Sequence, residues 1–283
     1  MTDRLFKHTI GNFDIKDAFE AVDLLFERNY SSVSCEKKND DWIVEVLNFK
    51  EIPETEIRSI LSGYRFSKIK IEELEDANWL EKCFENFKPI VAGDFYIYGP
   101  HLRGSSIPSD KIAIEIAAAT AFGTGEHPTT NRCLVAVQTF FDEKRSKSAL
   151  DLGCGSCVLS IALAKLGACE VYAYDCDDEA VKVSRENVAI NKVAHRVSVF
   201  KNLDCEFACR QYDFIVSNIL AEPLISMSEA VVSSLSPNGL LVLSGFTSDD
   251  DGVLRKYLSL GLKLKFRYDY KGWTTLVFEK AAA

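Results

Sequence analysis

No stretch of this 283-residue chain approaches the run of roughly 18 uncharged apolar residues that a membrane-spanning helix needs. The most apolar segment, Ile112 to Phe122, is short and interrupted by Glu115. Nor is there an apolar signal core behind Asp3, Arg4 and Lys7, so no routing for secretion is expected. An excess of positive charge is also missing. Thirty-three basic residues against 42 acidic ones leave a net charge of −9, which argues against a nucleic-acid binder, because neutralising phosphates needs a basic face. The nine cysteines are odd in number and lack the spacing of a disulfide scaffold, so they read as reduced thiols of a cytoplasmic protein. What is there is globular. The chain is 27% charged and 47% hydrophobic, which excludes disorder, collagen and coiled coil, and it is long enough for one large domain or two of ordinary size.

Charge is unevenly spread. Residues 1–98 hold 20 acids and 13 bases, a net of −7, against a net of −2 over residues 99–283. An acidic front part suits a basic partner, and it equally suits simple solubility. Within residues 1–75, Asp14 to Asn29 reads as a helix capped by Asp14, with Ala18, Val22, Leu25 and Phe26 at helical spacing. Trp42 to Leu47 reads as a strand, Pro53 opens a second helix carrying Ile57, Ile60 and Leu61, and Lys68 to Glu72 alternates as another strand. The sum is a small α+β domain with two helices on an antiparallel sheet. Residues 76–110 read as a linker helix, Asn78 to Phe87, followed by a punctuated joint around one strand.

Residues 111–283 form the third segment, and from Ser148 onward strands and helices alternate. Strands are expected at Ala149–Asp151, Glu170–Tyr174, Val197–Phe200, Phe214–Ser217 and Leu240–Leu243, the last preceded by the turn Ser236-Pro-Asn-Gly. Helices are expected at Val158–Leu166, at Asp178–Asn191, and through Leu224, Met227 and Val231. Two closing strands, Leu262–Tyr268 and Trp273–Phe278, meet at Tyr270-Lys-Gly as an antiparallel edge. Seven strands in this order predict an α/β, Rossmann-like sheet, parallel in its body and covered on both faces.

The sharpest local signal is Asp151-Leu-Gly153-Cys-Gly155-Ser-Cys157, where a strand hands over to a helix. Gly153 and Gly155 let the backbone turn tightly and lie against a ligand. Twenty-two residues after Gly153, Asp175 ends the next strand, where a carboxylate can accept both hydroxyls of a ribose. A dinucleotide fold would want a third glycine at position 158, which is Val. The acid before the glycines looks more like the S-adenosylmethionine (SAM) fold, whose acid-x-Gly-x-Gly-x-Gly pattern is met here except that Cys157 takes the last place. Cys154 and Cys157 also spell Cys-x-x-Cys. With no further ligands in reach, they read as small side chains filling the loop rather than as a redox or zinc pair.

Three further stretches carry a resemblance. Ala121-Phe-Gly-Thr-Gly-Glu-His-Pro-Thr-Thr130, Asn218-Ile-Leu-Ala-Glu-Pro-Leu224 and Asn78-Trp-Leu…Asn86-Phe-Lys-Pro resemble motifs of the ribosomal protein L-eleven methyltransferase family (PrmA), over roughly residues 75–280. The resemblance implies a class I SAM-dependent methyltransferase domain at 111–283 and a substrate-recognition role for the α+β domain at 1–75. It further implies N-methylation of lysine or N-terminal amines on the large-subunit ribosomal protein L-eleven, with that protein as partner and neither nucleic acid nor membrane. Its cofactor contacts fall on Thr130, Gly153, Gly155, Asp175 and Asn218. Thr130 would offer a hydroxyl beside the methionine end, or else cap a helix, a role open to Thr129 as well. Asp175 would hold the ribose, while the helix cap that follows fits Asp177 better. Asn218, at a strand's carboxyl end, would orient the incoming amine through its side-chain carbonyl.

His127 reads in two ways, as a general base or as a loop histidine fixing the Gly-Thr-Gly turn. His8, His101 and His195 join no constellation and read as surface residues. No metal is called for. Rival readings are a lysine methyltransferase acting on another protein and a SAM-binding module without chemistry. A nucleic-acid amino-methyltransferase would want Asn-Pro-Pro-aromatic where Asn218-Ile-Leu-Ala stands.

Overall fold

The computed structural model describes residues 5–74, 89–117, 127–142, 147–201, 205–249 and 251–282, apart from positions 27, 29, 31, 39, 40 and 106. The chain divides into two compact units, Met1–Cys83 and Phe84–Ala283.

The first unit runs β1 (Leu5–Phe13), α1 (Ile15–Phe26), β2 (Ser32–Lys38), β3 (Asp41–Asn48), α2 (Glu54–Ile60) and β4 (Lys68–Leu74). Its four strands pair antiparallel in the order β2-β3-β1-β4. Asp14 does cap α1, its carboxylate accepting the Asp17 N–H at 2.8 Å. Ala18, Ala21 and Leu25 of α1 and Ile57 of α2 then bury against Ile10, Phe13, Val44 and Val46. Strands β1 and β2 go unread in the sequence for a physical reason. In β1 the two-residue period breaks at Asn12, which sits at φ +68 where the register shifts between Ile10 and Phe13. In β2 the sequence Ser-Val-Ser-Cys-Glu-Lys-Lys has almost no apolar face to alternate. His8 is a correction. It is fully buried rather than at the surface, with the Ile52 N–H donating to its Nε2 at 2.9 Å, while His101 and His195 are exposed as expected.

The second unit begins with a three-stranded sheet, β5 (Ile90–Ala92), β6 (Phe95–Tyr98) and β7 (Ile112–Glu115), where the punctuation suggested a joint around one strand. This sheet is tied to α3 (Pro128–Phe140) by the Asn131 amide on the Val91 carbonyl and by the Asp94 N–H on Gln138 Oε1. The expected linker helix and the stretch Ala121–Glu126 lie outside the described residues.

Next come β8 (Ser148–Leu152), α4 (Val158–Lys165), β9 (Glu170–Asp175), α5 (Asp178–Ile190), β10 (Val197–Lys201), β11 (Tyr212–Asn218), α6 (Ala221–Ser226), α7 (Ser228–Ser234), β12 (Leu235–Thr247), α8 (Gly252–Ser259), β13 (Lys263–Tyr270) and β14 (Trp273–Glu279). The seven strands lie in the order β10-β9-β8-β11-β12-β14-β13, parallel from β10 to β12 and antiparallel at β14 and β13. Both faces are buried, and the pleat sends alternate residues to opposite faces. Ala149, Val216, Val242 and Val277 face α3 and α4, whereas Leu150, Ile215, Leu241, Leu243, Leu276 and Phe278 face the layer holding Leu224, Val231, Val253 and Tyr257.

Three details differ from the sequence reading. The helix through Leu224 and Val231 is two helices meeting at Met227. Helix α8 is additional. The turn Ser236–Gly239 survives only as an excursion inside β12, whose pairing jumps from Leu235 opposite Tyr212 to Leu240 opposite Phe214.

Candidate active site

Register places the site. Leu152 of β8 pairs with Tyr174 of β9 and with Ser217 of β11, so Gly153, Asp175 and Asn218 are the next positions along three adjacent strands, and Asn218 pairs in turn with Ser244 of β12. Strand spacing of about 4.8 Å puts Asp175 and Asn218 roughly 10 Å apart with the glycine loop between them, all at carboxyl ends.

The loop is held by its backbone. The Gly153 and Cys154 N–H groups donate to the Tyr174 carbonyl at 2.8 and 3.0 Å, and the Cys157 N–H closes a turn on the Cys154 carbonyl at 2.7 Å. Gly153 has φ +72, and a Cβ there would lie 2.2 Å from Ile219 Cγ2. Gly245 on β12 has φ +100 and approaches the Ile219 backbone as closely, so two glycines let β11 end tightly and fix Asn218, the residue before Ile219. Gly245 carries no sequence signal of its own, because it is an isolated glycine in a strand. Cys157 adopts φ +67, the left-handed conformation that the pattern's third glycine would take without strain. Both cysteines of the pair are buried free thiols. Among the described residues no three His, Cys, Asp or Glu side chains gather as a metal site.

Asp175 ties the loop to its own strand end. One oxygen accepts the Gly155 N–H at 2.8 Å and the other the Asp177 N–H at 3.0 Å. A carboxylate offers about four acceptor positions, so two remain for hydroxyl donors. Asp177 caps α5 by accepting the Glu179 N–H, which leaves the cap to the residue expected to fill it. Behind the loop, buried Asp151 receives both the N–H and the hydroxyl of Ser160 on one oxygen, at 3.0 and 2.5 Å, while its Oδ1 has no partner among the described residues. Burial pushes its pKa up to about 7 against the relief from Ser160, and the nearby Asp175 charge adds to the rise.

At the other end of the row, the Asn218 amide donates to the Thr130 hydroxyl at 3.2 Å. Its carbonyl oxygen is buried and has no partner among the described residues. Neither Thr129 nor Thr130 caps α3. His127 does, accepting the Thr129 N–H on Nδ1 at 3.3 Å with the Thr129 hydroxyl 2.7 Å away, and its ring stands edge-on to Trp273 at 4.7 Å. Burial lowers the pKa of His127 to about 4, so the ring is neutral at pH 7.

The site residues are thus brought together in two groups, Gly153, Gly155 and Asp175 on one side and Thr130, His127 and Asn218 on the other. Comparison with known proteins identifies the family. Residues 10–281 match the family described as Ribosomal protein L11 methyltransferase (PrmA). The Ribosomal protein L11 methyltransferase of Caulobacter sp. (strain K31) is 31% identical over 275 residues, 94% of each chain. That of Brucella abortus (strain S19) is 38% identical over 216 residues, 72% of this chain and 73% of the relative. Among solved structures, the ribosomal protein L11 methylase of Lactobacillus delbrueckii subsp. bulgaricus shares the fold, with a TM-score of 0.63 at 24% identity over 69% of this chain and 100% of that one. The chain belongs to the ribosomal protein L11 methyltransferase (PrmA) family of SAM-dependent methyltransferases.

Proposed function

We propose that this chain transfers methyl groups from SAM to amines of ribosomal protein L11 in the cytoplasm, with Asn218 as the residue that orients the amine. The observation that carries the reading is the Asn218 side chain, whose nitrogen is committed to Thr130 while its buried oxygen lacks a partner among the described residues. A buried acceptor left unpaired costs about 1–3 kcal/mol, and an amine N–H from substrate removes that cost. The residues present fit SAM. Asp175 keeps two acceptor positions for ribose hydroxyls, and Gly153 and Gly155, at φ +72 and +50, let the loop turn tightly between the strand end and the helix. When bound, SAM supplies a methyl group made electrophilic by its sulfonium.

The chain's own part is orientation. Asn218 Oδ1 accepts one N–H of the neutral amine and turns its lone pair toward the methyl group, while the ordered row from Asp175 to Asn218 holds donor and acceptor in line. Of the two readings of His127, the hydrogen bonds support the one that fixes the turn. Passing a proton from a lysine ammonium, near 10.4, to a ring near 4 goes uphill by roughly 9 kcal/mol. His127 therefore shapes the start of α3 beside Thr130, and the amine's proton leaves to solvent.

The cytoplasmic reading rests on the cysteines, since all seven whose side chains are described are free thiols. Among the described residues no helix is long and apolar enough to cross a membrane. The deciding experiment incubates the enzyme and labelled SAM with purified L11 and with a large-subunit protein mixture lacking it. Label on L11 alone supports the proposal. Label on a different protein transfers the activity to that substrate, and SAM binding without any transfer reduces the chain to a binding module.

A further inference from the structure

Helix α5 and its C-cap present Ser184, Asn187 and Asn191 at helical spacing, so a polar stripe faces inward. Ser184 and Asn187 are fully buried. Each of the three is bonded to backbone outside its own helix. The Ser184 hydroxyl donates to the Gly155 carbonyl at 2.6 Å, and the Asn187 amide donates to the Ser156 carbonyl at 2.9 Å. Asn187 Oδ1 accepts the Ala117 N–H at 2.8 Å. Asn191 accepts the Glu115 N–H at 3.0 Å and donates to the Glu115 carbonyl at 2.6 Å.

The stripe therefore grips two separate stretches of chain. One is the glycine loop, whose other side is held by Tyr174 and Asp175. The other is the end of β7, from which the chain runs on to His127 and the helix bearing Thr130. Among the described residues, Asn187 alone bonds both stretches with one side chain. Its removal orphans the buried Ser156 carbonyl and the half-buried Ala117 N–H, and one or both stretches must move to satisfy them.

We propose that Asn187 is a positioning residue that sets the spacing between the glycine loop and the β7 exit, and through that spacing the affinity for SAM. This rests on the SAM reading above. Asn187 is not proposed to touch SAM or the amine. It acts through the Ser156 and Ala117 backbone, as a rivet between the two walls of the site.

The test titrates SAM into the full chain by calorimetry and follows hydrogen exchange in the cofactor-free chain. It compares wild type with Asn187→Ala, Asn187→Asp and Asn191→Ala. Asn187→Asp keeps the acceptor for Ala117 and loses the donor to Ser156, whereas Asn191→Ala removes the neighbouring grip on Glu115 without touching the loop. Expected is a roughly tenfold weaker SAM affinity for both Asn187 variants, with faster exchange at amides 153–157 before any cofactor is added. KM for SAM rises, while kcat at saturating SAM moves less than about threefold. Asn191→Ala lowers the melting temperature as Asn187→Ala does but leaves SAM affinity within about twofold. Wild-type affinity in the Asn187 variants overturns the proposal, as does an equal loss in Asn191→Ala, which would mark the stripe as merely structural. If Asn187→Ala does not fold, Asn187→Asp decides. A wild-type chain that binds no SAM overturns the proposed function itself, which keeps the two failures apart.

Discussion

The two units of this chain treat buried polarity in opposite ways. In the first, His8 is the one polar side chain buried among the described residues, and it is paired, Nε2 with the Ile52 N–H and Nδ1 3.4 Å from the Val46 carbonyl. In the second, Thr130, Asp151, Ser184, Asn187, Asn218 and Ser244 are all buried, and Asp151 and Asn218 each keep one oxygen with no partner among the described residues. An unpaired buried polar atom is destabilising, so its persistence needs a compensating gain. In the second unit two of these atoms, on Asp151 and Asn218, lie near the carboxyl ends of β8 and β11, beside the site proposed for SAM and the amine. The first unit has a finished core, so whatever it contributes to function is done by its surface.

The contrast is broken most directly at the two most informative buried polar residues. Asn218→Ala is expected to lower kcat about a hundredfold while changing SAM affinity far less, because the amide acts on the amine at the moment of transfer. His8→Ala is expected to lower the melting temperature of the first unit and leave kcat unchanged. Steady-state kinetics beside SAM calorimetry checks both. Parallel losses of kcat and affinity in Asn218→Ala would make that residue part of the cofactor pocket only.

Asp175→Ala comes next in size. Losing two charge-assisted hydrogen bonds to a ribose should weaken SAM binding by roughly ten- to a hundredfold. Asp175 also restrains the Gly155 N–H, so part of the loss will come from a looser loop. Asp177→Ala, which removes the α5 cap alone, separates the two by costing stability rather than affinity. Unchanged SAM affinity in Asp175→Ala would sink the ribose assignment.

How much of this was legible in the sequence follows the same division. From Ser148 onward, apolar strands alternate with helices, and the α/β sheet, its antiparallel edge, the glycine loop and Asp175 can all be read directly, because each rests on local pattern. Helix α8 and the Met227 break between α6 and α7 depend on what packs above Leu241 and Leu276, which no local window contains. In the first unit, Asn12 and the polar run of β2 hide two strands of four. In the site, the capping role of His127 could be distinguished from that of Thr129 only by hydrogen bonds, and its burial favours the capping role. Ser184 and Asn187 look like the wet face of an amphipathic helix. Their burial comes from the glycine loop and the β7 exit, both remote in sequence.

The first unit's surface gives a smaller effect. Residues 1–75 hold 16 acids and 11 bases, a net of −5, and a basic ribosomal protein would be drawn toward them. A chain truncated to begin at Phe84 should bind SAM normally but methylate intact L11 with a kcat/KM about tenfold lower. Raising salt from about 50 to about 500 mM should depress the full-length enzyme and spare the truncated one, since the Debye length shortens from over 10 Å to under 5 Å. Equal rates for the two chains on intact L11 would mean that the first unit is not a recognition module.

The smallest expected effect tests the claim that the catalytic unit tolerates unsatisfied polarity, and it is read as stability against pH. Asp151 has its folded pKa raised from 3.8 to about 7 by burial. Between those values the native state holds a proton that the unfolded chain releases, so stability falls as pH rises from about 4 to 7. His127 works the other way. Its folded pKa is lowered from 6.5 to about 4, the unfolded chain binds the extra proton, and stability rises with pH across that window. In the wild type the two slopes oppose each other between about pH 4 and 6.5. Asp151→Asn removes the first. The amide still accepts both Ser160 bonds and carries no charge to bury, although its N–H groups inherit the unpaired position of Oδ1. Linkage over about three pH units is worth roughly 4 kcal/mol at most, and leaving the amide unsatisfied takes back about 1–3 kcal/mol. The variant should therefore be more stable than wild type by about 1–3 kcal/mol at pH 8 and less stable by a similar amount at pH 4, with a stability that now climbs with pH where the wild type is flat. Calorimetric unfolding of the cofactor-free enzyme across that range checks it, and a stability difference independent of pH would show that Asp151 is ionised in the native fold.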